Sequence, residues 1–216
     1  MKSQDIGLLL KLVALRSKEG DGSDILVNKG SRTLPENWRD WALDDDVLWS
    51  EESWLGLEDD QLAARYSVRA LAAETGISKS QISLSLKRCL DVGLIRKDRK
   101  NGVPRANTRV LFNFLVHGVR YVFPAKPGEI TRGIATTFAA PVLEGQLYSS
   151  GELPMVWPDA RGNSKGQAIE PLFKSVPHAV RRDSELYAML ALVDGIRLGH
   201  PRESKLAADR LSRYLE

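Results

Sequence analysis

The sequence predicts a mainly α-helical fold: a two-helix unit in the middle of the chain, one small β-hairpin, and a helical pair at the C-terminus. Three observations carry this. Apolar residues recur at helical spacing in the stretches 3–17, 67–91 and 184–215. Gly76, with Ser78 two residues on, interrupts the middle stretch where a tight turn would join two helices. The segment 120–139 reads as two strands with Pro127-Gly128 near their turn.

Each element follows from local chemistry. Ile6, Leu9, Leu10, Val13 and Ala14 make the first helix, about Ser3 to Ser17, with Ser3 or Asp5 able to cap it. The next stretch is rich in Gly, Ser, Asp and Asn, which is loop chemistry. Between Pro35 and Asp60 lie Trp38, Trp41, Trp49 and Trp54, four of the five tryptophans, so part of that stretch is expected to pack on the body. A helix from Ser67 to Thr75 ends at Gly76, and Ser78 opens another that runs to about Asp91, with Gln81 at capping-box spacing and Gly93 as the stop. Asn107 to His117 is again helical, with His117 suited to the dipole at its C-terminal end. The hairpin is expected at Arg120 to Ala139, and 142–182, rich in Pro, Gly and Ser, as an extended arm. Ser184 to Leu198 is apolar around its circumference and must be buried on several sides, against the first helix or in a dimer seam. Pro201 opens the last, amphipathic helix, which runs from about Arg202 to Leu215.

The 216 residues carry a formal charge of +3, but the charge is segregated. Residues 1–34 stand at +2, 35–60 at −9, 61–140 at +10, and 141–216 balance. The single cysteine, Cys89, excludes an intrachain disulfide and any multi-cysteine zinc site, and its place beside inward residues reads as a small buried hydrophobe. His178 and His200 follow no metal-ligand spacing, so neither metal nor cofactor is expected. No glycine-rich phosphate loop, nucleophile elbow or His-Cys arrangement is present, and the expectation is a protein that is not an enzyme. The apolar run Ile6 to Leu15, broken by Lys11, is too short to span a bilayer and no cleavage site follows it; a cytoplasmic protein without membrane association is expected.

Two helices joined at a glycine form a helix-turn-helix if the packing permits it. Ala72 supplies the small residue at the crossing, Gly76 the turn, and Ile77, Ile82, Leu86 and Leu90 the inward face of the second helix. Lys79, Ser80, Ser83, Leu84 and Lys87 are left on the outer face, with Gln81 and Arg88 on its flanks.

The run LAAETGISKSQISLSLKRCLDVGLI, about 25 residues, resembles the DNA-reading core of bacterial winged-helix transcription regulators of the MarR-like kind. The matching positions are Leu71-Ala72, Gly76-Ile77-Ser78, Ile82, Leu86 and Gly93-Leu94-Ile95. The resemblance implies a winged helix-turn-helix in a domain 1–140, with 19–64 as an acidic insert, followed by 141–216 as the arm and C-terminal helices, packed on the same body or dimerising. It implies binding of double-stranded DNA by a homodimer and regulation of transcription, as a repressor. Two departures stand out. In most such regulators the wing hairpin follows Gly-Leu-Ile directly, whereas here a helix at 107–117 comes before the hairpin expected at 120–139. The 19–64 insert is the second.

A helix fits the major groove, where side chains can tell all base pairs apart. The candidate contacts from the reading helix 78–91 are Ser78, Lys79, Ser80, Gln81, Ser83, Leu84, Lys87 and Arg88. Arg96, Lys97, Arg99, Lys100, Arg105 and Arg109 form a basic run suited to flanking phosphates, and Arg132, near the expected hairpin tip, is the wing candidate. The acidic insert 35–60 admits three readings: a packed loop, a surface for a protein partner as in an antitoxin or adaptor, or an intramolecular mimic of DNA phosphates. A small-molecule-gated sensor with a pocket in 142–182 is the remaining alternative.

Overall fold

The computed structural model describes residues 1–19, 34, 38–42, 59–143 and 153–216. It is mainly helical with two small sheets. In chain order the elements are α1 (Ser3–Ser17), α2 (Asp59–Arg65), α3 (Val68–Thr75), α4 (Lys79–Asp91), β1 (Ile95–Lys97), β2 (Pro104–Ala106), α5 (Thr108–His117), α6 (Val119–Val122), β3 (Pro127–Thr136), β4 (Met155–Pro158), β5 (Ser164–Ile169), α7 (Val176–Val180), α8 (Ser184–Leu198) and α9 (Pro201–Leu215).

α1 is the axis of the body. Every residue from Asp5 to Leu15 is buried, and α3, α4, β2 and α8 pack around it. Its cap is Lys2, whose backbone N–H donates to Asp5 Oδ2 at 2.7 Å, so Asp5 serves from inside the first turn. Lys11 does not interrupt the buried run: its ammonium reaches Asp183 Oδ2 at 2.6 Å and also pairs with Glu74. α8 is buried from Leu186 to Arg197, as its all-round apolar sequence requires. Its cover comes from α1, α7, α9 and β3 in the same chain, so its burial calls for no dimer seam. One hydrophobic core runs from Ile6 to Leu215 and includes residues on both sides of position 140.

The helices at 67–91 form where expected. Ser67 and Ser78 cap α3 and α4 by accepting from Ala70 N and Gln81 N. Gly76 takes φ +69°, and a Cβ there would lie 2.8 Å from Ser175 Cβ, so α7 closes down on the turn because the residue is glycine. Ser175 Oγ donates to Thr75 O at 2.8 Å, and His178 Nε2 lies 2.8 Å from Ala73 O.

The expected hairpin at 120–139 is corrected. Residues 119–122 are helical, and 127–136 form one continuous strand, β3. β3 pairs antiparallel with β4 over 133–136 and with β5 over 127–133, while β4 and β5 pair parallel, closing a three-stranded barrel. Gly133 is register partner of both Pro158 and Ser164, and a Cβ there would collide with the Trp157 carbonyl oxygen. The alternation was β-like, but both partners lie far along the chain. For the same reason the arm expected at 142–182 is not extended throughout: it supplies β4, β5 and α7.

The hairpin lies instead at β1–β2, directly after Gly93-Leu94-Ile95, with Ile95 opposite Ala106, Arg96 opposite Arg105 and Lys97 opposite Pro104. Gly102 turns its loop at φ +69°. The helix at 107–117 follows it as α5, capped by Asn107.

Within the acidic stretch, Trp38 and Trp41 pack on the body. Their rings meet edge to face at 5.2 Å, and both lie 6.0 Å from Tyr187 of α8, which also meets Trp157 at 5.9 Å. Asp40 accepts from Ala135 N at 2.7 Å. Trp41 is buried in the core and Trp38 is partly buried against it. Trp49 and Trp54 lie outside the described residues.

Candidate nucleic-acid interface

α4 is held by one face. Ile82, Ser85 and Cys89 are buried, and Leu86 is partly buried against the core. Leu90 is a correction, being 36 % exposed; Ser85 and Cys89 take the inward positions because the seam facing α1 follows 82, 85 and 89. Burial pushes the Cys89 thiol up to about 12, with Asp5 adding to the effect, which leaves it an inert hydrophobe at neutral pH.

Ser78, Lys79, Ser80, Ser83, Leu84 and Lys87 are all exposed. Gln81 and Arg88 are engaged elsewhere. Gln4 Nε2 donates to Gln81 Oε1 at 2.9 Å. Arg88 donates to Asp5 through Nε at 3.1 Å and Nη2 at 2.6 Å, and to Ser85 Oγ at 3.0 Å. Burial works to raise the pKa of Asp5, but the hydrogen bonds from Arg88, Lys2 N and Ser85 outweigh it and hold the carboxyl below its usual range. Arg88 therefore fastens α4 to α1 rather than facing outward.

The hairpin carries the next group. Arg96, Lys97, Arg99 and Lys100 are exposed on β1 and its loop, and Arg109 is exposed on the first turn of α5. Arg105 is a second correction. Its guanidinium donates to Glu19 Oε1 and Tyr66 Oη, both at 2.7 Å, and to Asp98 Oδ2 at 3.0 Å, and stacks 5.0 Å above the Tyr66 ring. It is a tether between the hairpin and the end of α1. Arg132 is a third correction: it lies on β3, opposite Lys165 of β5, and not on a hairpin tip.

Residues 78–110 hold nine Lys/Arg and two Asp, a net +7. Two of the nine, Arg88 and Arg105, are neutralised internally, and the other seven are exposed along α4, the hairpin and the start of α5. Arg69, exposed on α3, adds to them and was not singled out from the sequence. The hairpin had one legible signal, Asn101-Gly102, a dipeptide favoured in hairpin turns. Three-residue strands and a run of charge obscured it.

Among the described residues, no group of three or more His, Cys, Asp or Glu side chains could hold a metal ion, and no helix is long and apolar enough to cross a membrane. No protein family, no curated protein and no solved structure matches the chain.

Proposed function

We propose that α1, α3, α4 and the β1–β2 hairpin form a winged helix-turn-helix that binds double-stranded DNA, and that the protein regulates transcription, as a repressor by steric occlusion. One observation carries this reading. The hairpin follows Gly93-Leu94-Ile95 directly, where the family resemblance puts a wing, and it shares with the outer face of α4 six exposed cations: Lys79, Lys87, Arg96, Lys97, Arg99 and Lys100. In this reading α4 enters the major groove, and the hairpin and Arg109 hold the flanking phosphates. Arg69 on α3 meets the backbone where the first helix crosses it. A homodimer would place two such units on successive half-sites, with a seam other than α8.

The test is duplex binding at several salt concentrations. Replacing Arg96, Lys97, Arg99 and Lys100 together by Gln should flatten the slope of log K against log salt by up to about 3.6, at ~0.9 for each phosphate no longer neutralised. An unchanged slope would remove the hairpin from the interface. Lys79→Ala and Lys87→Ala should each weaken a preferred site by roughly 1–3 kcal/mol with little effect on unrelated sequences. A uniform loss over all sequences would reassign both to phosphates.

A further inference from the structure

α4 has fewer side chains to offer to bases than its sequence suggests, a point that rests on the DNA-binding reading above. Helices in the major groove work from a short menu. Arg or Lys takes guanine O6 and N7, Asn or Gln takes adenine N6 and N7 with two bonds, and an apolar group covers the thymine methyl. α4 has one planar side chain for each two-point contact, Arg88 for guanine and Gln81 for adenine, and the body uses both.

Gln81 turns its carboxamide oxygen to Gln4 Nε2 at 2.9 Å, and that oxygen is the acceptor adenine N6 would need. Arg88 spans both oxygens of Asp5 from its Nε and Nη2, and the Asp5 side chain is wholly buried. Moving Arg88 to a base would strand a buried carboxylate, a larger cost than one base contact returns. The first turn of α1 thus removes both planar readers from the groove face.

Lys79, Ser80, Ser83, Leu84 and Lys87 remain. The hydroxyls suit any base edge and discriminate little. Leu84, 48 % exposed, is the more exposed of the two leucines that α4 leaves outside; Leu90, near the C-terminal end, is 36 % exposed. Lys87 lies three residues on, so the two are adjacent on the helix surface, about 5–6 Å apart at Cβ. That spacing lies between one and two base-pair steps of ~3.4 Å, within the reach of two flexible side chains turned toward neighbouring pairs.

We propose that α4 reads a guanine and a thymine on adjacent base pairs, with Lys87 on the guanine acceptors and Leu84 on the thymine methyl, and makes no two-point contact to adenine. The specificity is therefore set partly from behind: Gln4 and Asp5 are positioning residues that decide which side chains of α4 face the DNA.

The experiment is selection from a randomised double-stranded DNA pool, followed by a base-analogue scan of the enriched duplex. Uracil in place of one thymine should weaken wild-type binding about fourfold, the worth of one buried methyl group. Leu84→Ala, at an exposed position, should bind the thymine and uracil duplexes equally. 7-Deazaguanine at the neighbouring guanine should weaken the wild type and leave Lys87→Ala indifferent. Gln81→Ala should enrich the same sequence. The proposal is overturned, with DNA binding intact, if uracil is neutral at every position or if Gln81→Ala changes the preferred bases. If no sequence is enriched at all, the DNA-reading function fails and the proposal with it. The uracil scan needs only the wild-type chain, so a variant that misfolds does not block the outcome.

Discussion

Asp183→Ala is expected to destabilise the protein by roughly 3–5 kcal/mol, the usual cost of removing one partner from a buried ion pair. Asp183 is 2 % exposed and Lys11, its partner at 2.6 Å, is likewise 2 % exposed. Lys18 approaches the other carboxylate oxygen at 3.3 Å. Asp183 also caps α8, where Oδ1 accepts from Leu186 N at 3.2 Å. Asp183→Asn keeps an acceptor for the cap and removes the charge, so the two variants should differ by about 1 kcal/mol, the worth of an N-cap. Burial alone would raise the carboxyl of Asp183, but Lys11 and Lys18 outweigh it and hold it down at about 2, against 3.8 for the free group. A depressed folded-state pKa contributes stability that is complete above the unfolded value and is lost as pH falls through the folded one. The gap between wild type and Asp183→Asn should thus be largest above pH ~4 and narrow by about 2 kcal/mol toward pH ~2. Urea unfolding at a series of pH values measures this. A gap that stays constant with pH would mean that the charge of Asp183 does not contribute to stability.

Arg88→Ala is the second large effect, and it separates what the sequence suggests from what the fold does. As a DNA contact, Arg88 would be dispensable for stability. As the partner of Asp5, its loss leaves a carboxylate with a fully buried side chain, while Arg88 itself is 29 % exposed. The expected cost is about 2–4 kcal/mol, below that of a wholly buried pair because water already reaches the guanidinium. Asp5→Asn combined with Arg88→Met should recover most of it, since no unpaired charge remains and Asn can still cap α1. The double-mutant cycle reads the coupling directly. Wild-type stability in Arg88→Ala, together with lost DNA affinity, would return Arg88 to the groove.

The helices were legible because each has a period and a stop of its own. α3, α4, α5, α8 and α9 lie within two residues of the bounds that capping residues, Gly76 and Pro201 suggest. The outer face of α4 was legible for the same reason: 3.6-residue spacing puts Lys79, Ser83 and Lys87 together whatever lies beneath. Strand pairing was not. β3 has a clear alternation, but alternation names a face and never a partner, and its partners lie some twenty to forty residues away in a segment rich in Pro and Gly. β1 and β2 are three residues each, too short to show any period.

Local chemistry thus determined, from the sequence alone, a helical chain with two helices meeting at a glycine and a concentration of positive charge around them. The tertiary structure decided which of those charges face outward. Lys11, Arg88 and Arg105 read alike in the sequence as cations in or beside helices and strands. Each instead meets a carboxylate distant in sequence, on Asp183, Asp5 or Glu19. A buried charge requires a partner, and partners brought together by folding across 83 to 172 positions leave no local trace.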